Sequence, residues 1–257
     1  MGRAERHEAI TAHVLAQGAA TPGDLAAMTG ASLMTVHRDL DELARLGVLR
    51  KFHGGVSAQP SSVFEASSAY RSKVQLREKE ALGRAAARRV APGMSVMLDT
   101  STTNLHVVEH LLAAGEGPLT VITNYLPIMH RLHEEQDVHL IGVGGDFNRT
   151  HQAFLGRMSD SMVEGLSADI AFLSTSAMTA DATYHQETDI VAGKQAMMRA
   201  CEHAVLLMDS TKIRRRALHL LCGVDEFDEL LLAAQGEEEF LSTVPESVRT
   251  ELVDLTG

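Results

Sequence analysis

Residues Thr21 to Val56, TPGDLAAMTGASLMTVHRDLDELARLGVLRKFHGGV, constrain the fold more than any other stretch. Thr21 can cap a short helix, with Pro22 next and Asp24 placed to reach back to the cap. Gly30 breaks the pattern and Ser32 caps a second helix. There Val36, Leu40 and Leu43 recur at helical spacing and face inward. The opposite face carries Met34, Arg38 and Asp41, flanked by Thr35 and His37. Gly47 ends the helix. Val48 to Val56 then supplies a strand and a Gly54-Gly55 turn bearing Arg50, Lys51 and His53. Two short helices around a Gly-containing turn form the helix-turn-helix plan, whose second helix enters the DNA major groove. Three-helix cores also occur in proteins that never touch DNA.

The order of residues is more specific than the plan. Ser32-x-x-Thr35-Val36-His37-Arg38-Asp39-Leu40, then Leu43-x-x-x-Gly47, then Arg50-x-x-His53-Gly54-Gly55 resembles the N-terminal winged helix of the DeoR family of bacterial sugar-operon repressors. One departure is His37 where an Arg is usual. The resemblance and the free face together imply contacts to double-stranded operator DNA from Ser32, Met34, Thr35, His37, Arg38, Arg50, Lys51, His53 and Gly54.

A net charge of −11 opposes DNA binding as a whole, but it is unevenly spread. Residues 1–90 hold 13 Lys+Arg against 9 Asp+Glu, and residues 91–257 hold 10 against 25. An acidic body would turn the basic end toward phosphate. An acidic domain joined to an ordinary one explains the same numbers. An apolar content of 45% supports a sizeable core. No apolar run approaches the ~18 residues that span a bilayer, and the start is polar, so no membrane partner is expected. Cys201 and Cys222 are too few for a disulfide framework and lack metal-ligand spacing. A reduced, cytoplasmic protein without a cofactor is expected.

Along the chain, Arg3 to Gln17 reads as a first helix with Ile10 and Val14 on one face. Ser57 to Ser68 reads as a linker. Tyr70 to Val90 reads as one basic helix whose cations are either solvated or against phosphate. From Pro92 onward, apolar runs at 95–98, 119–122, 138–143, 170–174, 204–208 and 230–233 alternate with helical stretches. The helices are expected near 105–114, 126–134, 155–166 and 189–202. This alternation predicts a parallel, doubly wound, Rossmann-like α/β sheet. The expected division is a winged helix-turn-helix domain over residues 1–57, a linker and the start of a connecting helix over 58–76, and an effector-sensing α/β domain over 77–257.

Ligands of such sheets bind at the carboxyl ends of strands. Asp99-Thr100-Ser101-Thr102-Thr103 follows the first strand and precedes a helix, a setting that suits an anion such as phosphate. Thr123-Asn124, then Gly144-Gly145 with Arg149, end the next two strands, and Asp209 to Lys212 ends the fifth. In order, these segments resemble the DeoR family's C-terminal sensor domain, whose fold is similar to ribose-5-phosphate isomerase. Lys194 to Met198 also resembles a segment of that family, on a helix that could simply pack. The resemblance implies a small phosphorylated sugar-type effector. Its expected site is Asp99, Thr100, Ser101, Thr102, Thr103, Thr123, Asn124, Gly144, Gly145, Arg149 and Lys212. Ser101 stands where Gly is usual; a positive φ there would strain the loop. The family also implies a homo-oligomer, dimer or tetramer.

Two enzyme readings compete. His106-Val107-Val108-Glu109-His110 matches H-x-x-E-H, with two histidines on one helix face as zinc ligands. His130 and His133 add no convincing third ligand. A sugar-phosphate isomerase would need a carboxylate base from Asp99, Glu187 or Asp209. The attached winged helix favours a transcriptional regulator of the repressor type, with sensing rather than turnover.

Overall fold

The computed structural model describes residues 1–58, 67–115 and 117–256. The chain separates into two compact units, Met1–Val74 and Gln75–Gly257. The middle of the expected linker, residues 59–66, lies outside the described residues.

The first unit contains α1 (Arg3–Gln17), β1 (Ala19–Ala20), α2 (Pro22–Thr29), α3 (Leu33–Arg45), β2 (Leu49–Phe52), β3 (Gly55–Ala58) and α4 (Ser68–Arg71). Thr21 caps α2, accepting the Asp24 amide, while Asp24 reaches back to the Thr21 amide. Ser32 caps α3 by accepting the Thr35 amide at 3.2 Å. Val36, Leu40 and Leu43 join Ile10, Val14, Leu25, Leu49, Val56 and Tyr70 in one core. Strands β2 and β3 form an antiparallel wing, with β1 on the other side of β3.

The basic segment is not one helix. It breaks into α4 and α5 (Leu76–Ala87), with Gln75 in the left-handed region at φ 54°. The reason is packing. Tyr70 is buried in the first unit, its hydroxyl 3.2 Å from Thr11 Oγ1, and Val74 packs against the same core. The cations of this segment divide: Arg77 and Arg88 are exposed, while others are buried or paired. Lys79 is buried, and Arg89 meets Glu229 at 2.6 Å and Glu251 at 2.5 Å.

The second unit centres on a seven-stranded parallel sheet. Its strands are β4 (Ser95–Leu98), β5 (Leu119–Thr123), β6 (Val138–Gly142), β9 (Ala168–Leu173), β12 (Cys201–Asp209), β14 (Glu229–Ala233) and β15 (Arg249–Leu252). The order is β15-β14-β12-β9-β4-β5-β6. The chain runs outward from β4 to β6, then returns to β9 and runs the other way. The switch point therefore lies between β4 and β9, where loops diverge and leave a crevice. Every strand anticipated from an apolar run is present, extended in places; β15 was not anticipated.

Helices α5, α6 (Thr103–Ala114), α7 (Leu126–Leu132), α8 (Arg157–Glu164), α9 (Thr188–Arg199) and α10 (Glu238–Leu241) accompany the sheet. Smaller pieces are the hairpin β7 (Asp146–Asn148) and β8 (Ala153–Leu155), and the antiparallel sheet of β10 (Ala177–Met178), β11 (Ala182–His185) and β13 (His219–Gly223). Strands buried on both faces explain the continuous apolar runs. Val96, Leu98, Val205 and Leu207 serve one core, and Met97, Leu206 and Met208 the other. On the first face α5 crosses α6 closely: a Cβ at Gly83 would sit 2.6 Å from the His106 carbonyl carbon. Among the described residues no helix is long and apolar enough to cross a membrane.

Asp39 locks the recognition helix to α1. Its carboxylate accepts from Arg6 Nε at 2.6 Å and lies 3.0 Å from His7 Nε2. Burial alone would raise its pKa, but the Arg6 and His7 hydrogen bonds outweigh that and hold it below the usual carboxylate value. Removing this partner from a buried pair, by Asp39→Ala, should cost roughly 3–5 kcal/mol. Because the folded pKa is the lower one, the stabilisation is present above the ordinary carboxylate range and disappears as pH falls through the depressed value. Thermal unfolding from neutral pH downward should show a flatter acid limb for Asp39→Ala than for the wild type.

Candidate functional site

Two surfaces carry the expected residues. On the first unit, α3 turns Met34, His37, Arg38 and Asp41 to solvent. The Ser32 and Thr35 hydroxyls lie 2.9 Å apart, engaged with each other at the start of the helix. On the wing, Arg50, Lys51, Phe52 and His53 are exposed. Gly54 turns the hairpin at φ 89°, and a Cβ at Gly55 would meet the Ala20 carbonyl oxygen at 2.7 Å. The first glycine is thus needed for conformation and the second for close approach. Lys51 Nζ donates to Asp41 Oδ1 at 2.5 Å, joining the wing to the outer face of α3. That contact holds the Asp41 carboxyl below its ordinary pKa.

The second surface is the switch-point crevice. Asp99 ends β4 and is buried. Its Oδ1 accepts from the Ser101 amide and from Asn104 Nδ2, both at 2.9 Å. Its Oδ2 accepts from the Ser174 amide at 3.1 Å and pairs with Lys194 of α9. Ser101 Oγ accepts the Thr103 amide. Ser101 is not among the residues with positive φ, so the loop takes Ser without strain. Thr100 and Thr102 are buried in the same loop.

The neighbouring strand ends are only partly available to a ligand. Thr123 spends its hydroxyl on the Leu98 carbonyl and the Tyr125 amide. Asn124 donates to the Phe154 carbonyl, while its Oδ1 is buried without a partner, as is Thr103 Oγ1. Gly145 has φ 149°, and a Cβ there would meet the Leu155 carbonyl oxygen at 2.6 Å, so this glycine serves the chain's own packing. Gly144 is exposed, and Arg149 stands exposed in the β7–β8 turn. Lys212 reaches inward: its Nζ donates to Ser174 Oγ at 2.9 Å and lies 3.4 Å from Asp209 Oδ2. The ammonium therefore bridges the ends of β9 and β12, beside the Asp99 loop that Ser174 also contacts.

Residues outside the expected effector set also hold this region together. Ser174 links Asp99 to Lys212. Lys194 lies on the inward face of α9 with Ile190 and Met197, so a lysine inside an apolar stripe was the available signal. Glu78 of α5 captures the β12 loop, accepting the Ser210 amide at 2.8 Å and its hydroxyl at 2.7 Å. Burial pushes the Glu78 pKa up against these bonds. His151, buried, lies 2.8 Å from Glu187.

Neither enzyme reading assembles its groups. His106 Nδ1 and His110 Nε2 both meet Glu80, at 2.9 and 2.7 Å, while Glu109 turns away to Arg131. Helical spacing does place both histidines on one face, but α5 fills that face with a carboxylate. His133 Nδ1 engages the His130 carbonyl. Among the described residues, no group of three or more His, Cys, Asp or Glu side chains could hold a metal ion. As for a base, Asp99 is fully engaged by four donors. Asp209 is buried, which would raise its pKa, but Lys212 and Thr211 outweigh that and lower it. Glu187 is taken up with His151.

The chain matches two family models. Residues 6–62 match the DeoR-like helix-turn-helix domain, and residues 74–232 match the DeoR C-terminal sensor domain. It is 30% identical over 227 residues to the HTH-type transcriptional regulator YgbI of Escherichia coli (strain K12), covering 88% of each chain. It is 29% identical over 261 residues to the lactose phosphotransferase system repressor of Staphylococcus aureus (strain N315), covering 99% of this chain and all of that one. Among solved structures, it is similar to ribose 5-phosphate isomerase A from Methanocaldococcus jannaschii, with 16% identity, a TM-score of 0.39 and 53% of each chain covered. The chain belongs to the DeoR family of transcriptional regulators, with that family's helix-turn-helix at its amino end and its sensor domain behind it.

Proposed function

We propose that this protein is a cytoplasmic repressor of a carbohydrate-metabolism operon, controlled by a phosphorylated sugar or related metabolite. The α3–wing surface binds operator DNA. The switch-point crevice binds the effector. The observation that carries the sensing half is Lys212, an ammonium placed against Ser174 beside the loop that opens α6. A helix N-terminus with hydroxyls and a nearby cation is suited to a phosphate group. The name of the S. aureus relative, a repressor of a lactose phosphotransferase system, supports a sugar-linked role. Effector and DNA affinities are then coupled by linkage, typically ~1–3 kcal/mol. A homo-oligomer, dimer or tetramer, follows from the paired half-sites that helix-turn-helix proteins use.

The proposed contacts divide by role. Arg38 reads a base edge, and Arg50, Lys51 and His53 of the wing meet phosphate. Asp99 and Thr123 shape the crevice, while Lys212, Thr100, Thr102, Thr103 and Asn124 supply groups toward the ligand.

For DNA, Arg38→Ala should lose base readout at a cost of ~1–3 kcal/mol and flatten operator preference. Lys51→Ala should weaken all sequences alike and reduce the salt slope by about one phosphate's worth. Footprinting with salt titration separates the two effects, and unchanged operator preference in Arg38→Ala would remove the role given to it. For the sensor, Lys212→Met should weaken a phosphorylated effector several-fold or more while leaving operator binding by the ligand-free protein nearly unchanged. A thermal-shift screen of sugar phosphates, then calorimetry and gel shift on wild type and mutant, tests this. Equal effector affinity in both would make Lys212 a structural lysine only.

A further inference from the structure

We infer that the first turn of α3 is an apolar reading head for thymine, with Leu33 and Met34 receiving C5-methyl groups in the major groove beside a guanine read by Arg38. The inference rests on the DNA-binding reading above and specifies the base chemistry it selects. Leu33 and Met34 are the first two residues of the helix after its Ser32 cap. They are 55% and 66% exposed, respectively, and are thus the least buried large apolar side chains of that helix. Neither side chain joins the core of this unit, to which the helix contributes Val36, Leu40 and Leu43.

The polar groups of the same turn engage one another. Ser32 Oγ accepts the Thr35 amide and lies 2.9 Å from Thr35 Oγ1. What projects at the tip is therefore apolar. One turn on, Arg38 Nη2 lies 3.8 Å from Met34 Sδ, so a cationic and an apolar side chain stand side by side. The N-terminal residues of a recognition helix are those that reach base edges. In the major groove the thymine methyl is the apolar feature of a base edge, and a bidentate Arg selects guanine O6 and N7. An apolar tip next to a guanidinium therefore asks for thymine within a step or two of guanine.

The test uses the full-length protein and duplexes enriched by it from a randomised library. Each thymine of the enriched site is replaced in turn by deoxyuridine, which removes only the methyl group. The expected result is a roughly fourfold loss of wild-type affinity, the worth of about one buried methyl-sized group, at one or two thymines per half-site that neighbour a guanine. Met34→Ala or Leu33→Ala, with unchanged melting temperature, should bind the thymine and uracil duplexes alike at those positions. Uracil tolerated everywhere by the wild type would overturn the inference, as would a penalty that persists undiminished in the Leu33→Ala/Met34→Ala double mutant. Failure to enrich any sequence is a different result: it would overturn the DNA-binding reading itself, and this inference with it.

Discussion

The sensor depends on one buried carboxylate. Asp99 joins its own loop and the first turn of α6 to two parts of the second unit that are distant in the chain, the end of β9 and the middle of α9. A buried charge without partners would be expensive, and here every lone-pair direction is met. The result is a fixed crevice floor at the switch point. The same engagement removes Asp99 from the list of groups a ligand could use directly. It positions the Thr and Ser side chains of its loop, and its exchange with Lys194 keeps α9 against the sheet. A carboxylate that reads in the sequence as a ligand group is thus a fastening, and a lysine that reads as packing is its counter-ion.

Local features were legible and distant ones were not. The caps at Thr21 and Ser32, and the Val36–Leu40–Leu43 stripe, depend on spacings of three or four residues, which any helix imposes. The parallel strands announced themselves as apolar runs because both faces of the sheet are covered. By contrast, Lys194 and Asp99 are 95 residues apart, and nothing in either segment names the other. Strands β7, β8 and β10 have only two or three residues, too few to show a pattern, and β11, β13 and the edge strand β15 mix polar with apolar positions. The basic segment after Tyr70 looked like one helix because periodicity does not record which core a residue joins. Tyr70 and Val74 belong to the first unit, and the chain turns at Gln75 to begin the second. The H-x-x-E-H motif fails for a similar reason, since Glu80 and Arg131 come from other helices.

Charge, too, acts locally. Much of the cationic charge of residues 1–90 is paired within the protein. In the first unit Arg6 is committed to Asp39, Arg3 to Glu42 and Lys51 to Asp41. In the second, Arg88 and Arg89 face Glu229 and Glu251. Summed charge therefore says where repulsion from DNA is greatest, the acidic body, but not which groups attract it. Under the proposed function, attraction rests on a few exposed side chains, Arg38 and Arg50 above all, and on how Lys51 divides itself between Asp41 and phosphate. An exposed pair of that kind is worth little on its own, so Lys51 is readily given up to a stronger anion.

Under the proposed function, coupling between sensing and DNA binding would have a physical place to begin. Helix α5 is the first element of the second unit, and its residues grip one crevice loop and the helix that another loop opens. Glu78 holds both the amide and the hydroxyl of Ser210, two residues before Lys212. Glu80 bridges His106 and His110 on α6, the helix that the Asp99 loop opens. Gly83 brings the two helix backbones into contact, leaving no side chain to cushion a displacement. Coupling needs an element that makes different contacts in two states, and rigid packing turns small shifts into shared ones. A shift of the Lys212 loop changes the Ser210 end of the Glu78 contact, and a shift of α6 changes the Glu80 end. Both act on a helix whose amino end is one residue from the boundary with the DNA-binding unit.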